Sequence, residues 1–327
     1  MELLIYLILF LLVLIVSSTT NKLLPFLPLP LVQILLGIVI GLFLPNTDFH
    51  LNTELFLALV IGPLLFRESE EADITAILKH WRIIVYLIFP VIFISTLSLG
   101  GLAHFLWLSL PLAACLAVGA ALGPTDLVAF ASLSERFSFP KRVSNILKGE
   151  GLLNDASGLV AFQVALTAWT TGAFSLGQAS SSLIFSILGG FLIGFLTAMT
   201  NRFLHTFLLS VRATDIASEL LLELSLPLVT FFLAEEVHVS GIIAVVVAGI
   251  LKASRFKKIT LLEAQVDTVT ETVWHTVNFM LNGSVFVILG MELEMIAEPI
   301  LTNPIYNPLL LLLSLIALTF VLFAIRF

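Results

Sequence analysis

Charge is what this chain has least of: Asp, Glu, Lys and Arg together make up 11% of its 327 residues, where a soluble globular domain carries about 25%. That shortage excludes a water-solvated surface over most of the molecule. Cysteine is nearly absent too. Cys115 stands alone in an apolar run, which excludes a disulfide framework or a cysteine-ligated metal within one chain and reads as a buried bystander. No Walker loop, zinc cluster or nucleophile triad is present, which argues against an ATP-driven pump and against an intramembrane hydrolase or other enzyme, and leaves no cofactor to expect. The first segment begins Met1-Glu2, without a basic n-region or a clear small-residue cleavage site, so it reads as a retained helix and not a secretory signal.

What is present is hydrocarbon. Hydrophobic residues make up 59% of the chain and the mean hydropathy is +1.12. Roughly eleven apolar stretches of about 15 to 22 residues are each long enough to cross, or nearly cross, a bilayer core. They are continuous runs, and a spanning segment must satisfy its own backbone polar groups, so they are helices and not barrel strands. The expected fold is an all-α, polytopic membrane protein, a single transmembrane domain over 1–327. Its helices are expected near Leu3–Ser18, Leu29–Leu44, Thr53–Phe66, Ile83–Gly101, Leu112–Leu133, Ser144–Thr171, Ser181–Asn201, Asp215–Glu235, Val239–Leu251, Thr272–Met291 and Pro308–Phe327.

The basic residues test this segmentation, because short cytoplasmic loops carry the Lys and Arg of a membrane protein. Lys22 follows the first helix; Arg67, Lys79 and Arg82 follow the third; Arg136, Lys141, Arg142 and Lys148 follow the fifth or begin the sixth. Arg202 and Arg212 follow the seventh, and Lys252, Arg255, Lys257 and Lys258 the ninth. Loops after even-numbered helices have none. The N-terminus is therefore expected outside, in a multi-pass protein of the plasma membrane, here a bacterial cell membrane.

Chemistry enters with carboxylates that no loop explains, since an ionisable group within a span costs several kcal/mol and usually faces a water-filled path. Asp126 lies in Gly123-Pro124-Thr125-Asp126, inside the fifth stretch. Proline removes a backbone donor, so the helix is expected to break here. A broken helix exposes carbonyls and half-helix ends that bind ions in secondary transporters. Asp155 lies in Gly149-Glu150-Gly151-Leu152-Leu153-Asn154-Asp155. Glu150 and Asn154 are four apart on one helical face, and Gly151 and Asp155 on an adjoining one. Two carboxylates with amide and hydroxyl oxygens make a hard oxygen site suited to an alkali cation. Burial favours the protonated form of such a carboxylate and a cation favours the ionised form. Competition between proton and cation at one alternating-access site is sufficient for antiport.

At these residues the chain resembles the monovalent cation/proton antiporter family, in its NhaP-like sodium/proton exchanger branch (CPA1). Gly123–Asp126 is similar to the family's Thr-Asp break, and Gly149–Asp155 to its Gly-Glu-Ser-Leu-Leu-Asn-Asp signature. Ala234-Glu235-Glu236-Val237-His238-Val239-Ser240-Gly241 resembles a third family segment. Matching pieces run from Leu65-Phe66 to Gly290-Met291-Glu292-Leu293. The resemblance implies an inverted-repeat antiporter fold and a role in pH homeostasis, with Asp155 as the cation- and proton-binding carboxylate. It further implies that Asp126 and Thr125 help to hold the Na+, that Asn154 is structural or supports Asp126, and that Glu150 pairs with a later Arg, for which Arg326 is the candidate. An Asn-Asp pair goes with electroneutral exchange in this family, one cation per proton. A homodimer in the lipid bilayer, with no nucleic-acid partner, is the expected assembly.

Two departures bear on ion choice. Gly151 replaces a common Ser, and Lys148 stands where an acidic residue is common, so sodium and potassium both stay open. The family has about thirteen helices, so by that comparison the C-terminal part is expected to be missing. A truncated, non-transporting fragment, or a cation channel built on the same carboxylates, are the alternatives. Of the remaining residues, Glu68-Ser69-Glu70-Glu71 reads as a solvated face. Trp107, Trp169 and Trp274 read as interface anchors, and His80, His104 and His238 as interfacial histidines. Glu219 and Glu223 line either a cation funnel or a polar helix face.

Overall fold

The computed structural model describes residues 2–24, 26–43, 52–72, 74–107, 109–124, 139–171, 176–211, 215–253, 261–302 and 308–326. Among these residues every regular element is a helix. In chain order they are α1 (Glu2–Leu23), α2 (Leu29–Phe43), α3 (53–71), α4 (Ile74–Leu106), α5 (Leu112–Leu122) and α6 (Lys141–Thr171). Then follow α7 (Leu176–Ser210), α8 (Ile216–Glu236), α9 (Gly241–Ala253), α10 (Leu261–Thr302) and α11 (Pro308–Arg326). Segments within α7, α8 and α10 are each long and apolar enough to cross a membrane. The chain is a multi-pass membrane protein: large apolar side chains such as Phe191, Leu192, Leu312 and Phe320 point outward while Glu150, Asn154 and Thr230 are buried.

Helix edges differ from expectation where polar residues meet tertiary contacts. α3 continues through the charged run to Glu71, with one π turn at Leu57–Ile61. α4 starts at Ile74, nine residues or so earlier than its apolar stretch suggests. α10 is far longer than its hydrophobic centre, and α8 runs through Pro227 without ending. In the opposite sense α5 stops at Leu122, ahead of Gly123-Pro124. A proline cannot supply the amide that the next helical bond would need.

The chain divides into two compact units. One comprises Met1–Leu64 with Ile259–Pro308, the other Leu65–Lys258 with Leu309–Phe327. In the first, α2 lies along α10 at a pair of glycines. A Cβ on Gly37 would overlap the Val287 carbonyl, and a Cβ on Gly290 the Ile34 carbonyl. Such close backbone approach is how helices associate in lipid, where hydrophobic burial between them drives little. Trp274 is 1% exposed within this unit, so it is a core residue; the expectation of an interface anchor fails because α10 extends well beyond it on both sides.

In the second unit α4, α5 and α6 pack on one another, as do α7, α8 and α9. Gly189, Gly190 and Gly194 of α7 lie against Val239, Ser240 and Ala244 beside or within α9. The Ala234–Gly241 motif is the turn that makes this packing. His238 adopts φ 58°, and its amide donates to Glu235 O at 2.9 Å while Val239 N donates to Ala234 O at 3.0 Å. This is a left-handed helix stop. Glu235 Oε1 accepts the Gly241 amide at 3.2 Å, and Ser240 Oγ accepts Ile243 N at 3.3 Å. The motif is a stop followed by a start. Cys115 is fully buried with Leu99, Ala103 and Leu318, the burial expected from its apolar run.

Candidate ion site at the end of α5

Three helices of the second unit bring the site together. α5 ends at Leu122, and Gly123 and Pro124 continue from it. The Pro124 ring fills the space beside Gly158 of α6, where an added Cβ would collide with it. Gly158 lies four residues beyond Asn154 and three beyond Asp155, so its contact places that face of α6 against the end of α5. α4 closes the third side, where Ser95 Cβ lies 3.8 Å from the position a Gly123 side chain would take.

On α6, Glu150 is 6% and Asn154 1% exposed. Asn154 Nδ2 donates to Glu150 Oε1 at 2.8 Å, the i,i+4 contact expected from their spacing. Gly151 is buried between them and adds no side chain. Asp155 follows Asn154 within the same helix; its side chain lies outside the described residues, as does that of Arg326 at the end of α11. Thr125 and Asp126, next after Pro124, also lie outside the described residues. The structure therefore joins Gly123 and Pro124 to Gly158, with Asn154 and the Asp155 backbone one turn, and Gly151 and Glu150 about two turns, back along α6.

Ser95 was not legible as a site residue. It sits in Ile94-Ser95-Thr96-Leu97-Ser98, five residues past Pro90, and polar residues of this kind are common in membrane helices. A second polar centre was also missed. Arg67 bonds Glu70 at 3.0 Å and pairs with Glu71 at 2.6 Å. Lys252 of α9 pairs with Glu70 of α3 at 3.1 Å and with Glu223 of α8 at 2.8 Å, with its ammonium 5.5 Å from the centre of the Phe66 ring. His205 of α7 lies 3.3 Å from Glu219. The Glu68–Glu71 run is thus no uniformly solvated face: Ser69 is fully buried and donates to Leu65 O. Glu71 is exposed, but Glu70 reads as solvated only when its basic partner Lys252, far along the chain, is ignored. Glu219 and Glu223 are engaged in these pairs.

Residues 7–327 match the family described as sodium/hydrogen exchanger, transmembrane. A Bacillus subtilis (strain 168) protein named sodium, potassium, lithium and rubidium/H(+) antiporter is 36% identical over 312 residues, 95% of this chain and 47% of the relative. Its namesake from Bacillus pumilus (strain SAFR-032) is 36% identical over 321 residues, 98% of this chain and 48% of the relative. The chain spans about half the length of the curated relatives it matches. Among solved structures, the sodium proton antiporter MjNhaP1 from Methanocaldococcus jannaschii at pH 8 superposes with a TM-score of 0.65 at 20% identity, covering 89% of this chain and 70% of that one. The fold is shared with that antiporter.

Proposed function

Since the chain belongs to the transmembrane sodium/hydrogen exchanger family, we propose that it serves a secondary antiporter that exchanges Na+, with K+ as the second candidate, for H+. The names of the Bacillus relatives include both ions. The observation that carries the reading is the buried Glu150–Asn154 pair on α6, with Asn154 one turn and Glu150 two turns before the Gly158–Pro124 contact. A buried carboxylate bonded to an amide, on a helix that packs against the end of another stopped by proline, marks a path for a cation through the membrane.

In this reading Asp155 binds either the cation or the proton, and Asp126 and Thr125 complete the site from beyond Pro124. Asn154 holds Glu150 and orients the start of the site; Arg326 balances Glu150 from α11, and bare Gly151 leaves room for water in the cation's shell. One proton then leaves for each cation that enters, so exchange is electroneutral. No cofactor takes part. The parity of basic residues supports an external N-terminus in a bacterial cell membrane, and a homodimer is the proposed assembly.

The experiment is cation-driven proton flux in proteoliposomes, comparing the full polypeptide with Asp155→Asn. Saturable flux, insensitive to membrane potential and reduced at least about 100-fold in the variant, is the expected outcome. Flux that survives in Asp155→Asn removes the carboxylate from the mechanism.

A further inference from the structure

Within α4 two neighbouring hydroxyls, those of Ser95 and Thr96, behave unlike most of their counterparts elsewhere. Buried hydroxyls in these helices ordinarily bond a carbonyl three or four residues back: Ser17 to Leu14, Thr197 to Ile193 and Gly194, Ser314 to Leu311. That local bond costs little and leaves no polar group unsatisfied. Ser95 is fully buried, yet among the described residues its hydroxyl has no hydrogen-bond partner; the Thr96 and Thr270 hydroxyls share that state, but of the three only Ser95 lies against Gly123 at the end of α5. A buried hydroxyl left unmade carries a desolvation penalty of about 1 to 3 kcal/mol, which a group with no role would relieve by rotating back onto its own helix.

The surroundings say what the hydroxyl is held for. Ser95 lies against Gly123, the residue that follows the last turn of α5. The Ala120 carbonyl belongs to that turn, in a residue with no exposed surface. Its ordinary donor four residues on is the nitrogen of Pro124, which has no hydrogen. The same carbonyl lies 3.5 Å from the added-Cβ positions of both Gly123 and Gly158, so it is in the crevice shared by α4, α5 and α6. The C-terminal end of a helix also carries partial negative charge. A hydroxyl oxygen and a carbonyl deprived of its helical donor thus converge where α6 carries Asn154 and Asp155 one turn away.

We propose that Ser95 is a specificity-determining ligand of the transported cation, its hydroxyl supplying a neutral hard oxygen at the end of α5. This rests on the antiporter reading above. A fixed neutral oxygen replaces water on a cation without adding charge, and in a crevice too tight for a Cβ at Gly158 it suits the smaller Na+ better than K+.

The test uses Ser95→Ala, Ser95→Cys and Ser95→Thr in the full polypeptide, with two readouts: cation-driven proton flux in proteoliposomes, and stabilisation of the purified protein against heating by NaCl or KCl at matched ionic strength. In Ser95→Ala the half-saturating Na+ concentration is expected to rise about tenfold and that for K+ less than about threefold, in both readouts. Ser95→Cys, which keeps the shape but offers a soft sulfur, follows Ser95→Ala, whereas Ser95→Thr retains the wild-type Na+ preference. Without alkali cation, Ser95→Ala melts no lower than wild type, because the hydroxyl it loses has no partner. Equal half-saturation for both ions in wild type, Ser95→Ala and Ser95→Cys overturns the assignment. If no alkali cation drives flux in wild type while Na+ still protects it more strongly than Ser95→Ala, the antiport reading falls and Ser95 stands as an ion ligand.

Discussion

The two compact units share close glycine contacts but differ in the charge they bury. In the unit of α1, α2 and α10 the contact is steric: Gly37 and Gly290 admit the neighbouring backbone, and the buried polar side chains Ser17, Gln33 and Thr270 are neutral. The unit containing α4–α9 uses glycine contacts as well, but it also buries Glu150 and nearly buries Lys252 with its two glutamates. A steric joint in lipid fails when a side chain grows. A charged joint fails when a partner is removed, since the remaining charge stays out of water. Both units should therefore be sensitive to volume at their close glycine contacts, and the second to charge as well.

The largest stability effect expected is from Gly290→Val, whose side chain would meet the Ile34 carbonyl and the Gly37 backbone. Overpacking typically costs 1–3 kcal/mol and more where backbone must yield, so a loss of about 3 kcal/mol is expected, seen as a lower melting temperature or failure to accumulate in the membrane. Gly101, with open space around its added Cβ, is the control in the other unit: Gly101→Val should cost less than about 1 kcal/mol. If the two substitutions cost the same, close backbone approach is not what Gly290 supplies.

Next comes Lys252→Met. It keeps the stem on Phe66 but leaves Glu70 and Glu223 facing each other without their shared cation. With side chains 9% and 15% exposed, a loss of about 2 to 4 kcal/mol is expected. Adding Glu223→Gln should restore part of that, and the coupling between the two changes, read by a double-mutant cycle of melting curves, measures the charged joint directly. Strict additivity would remove it from the second unit's support.

The smallest effect concerns the entrance to α8. Asp215 is exposed, and its carboxylate accepts Ser218 N at 2.8 Å as an N-cap. The Ser218 bonds hold its carboxyl below the usual range. A folded value below the unfolded one contributes stability above about pH 3.9, and that contribution is lost as pH falls through the folded value. The protection factors of the first-turn amides of α8, that is, the intrinsic exchange rate at each pH divided by the observed rate, should fall on acidification in wild type. Asp215→Asn keeps an acceptor and should show a flatter acid limb; identical limbs would show that the cap's charge contributes nothing.

Parts of the site were legible in advance because helical spacing is geometric. Glu150 and Asn154, four apart, meet as expected, and Gly123-Pro124 follows the end of α5. Long-range pairing was not legible. Glu70 and Lys252 are separated by most of the second unit in sequence, so the acidic run looked solvated until α9 was placed beside α3. Trp274 misled for a related reason: apolar content located the centre of α10 but not its full length. Ser95 offered no signal beyond being a serine in an apolar helix.

Composition and spacing determined by themselves that this chain lives in lipid, that it is helical, and which family its motifs resemble. Solvent choice and helix register depend on residues within a turn or two of one another. Which hydroxyl faces the end of α5, which lysine neutralises which glutamates, and which tryptophan is buried were decided only by tertiary structure. Those outcomes depend on which helices pack together, and lipid leaves that choice to close contacts and polar pairs between residues distant in the chain.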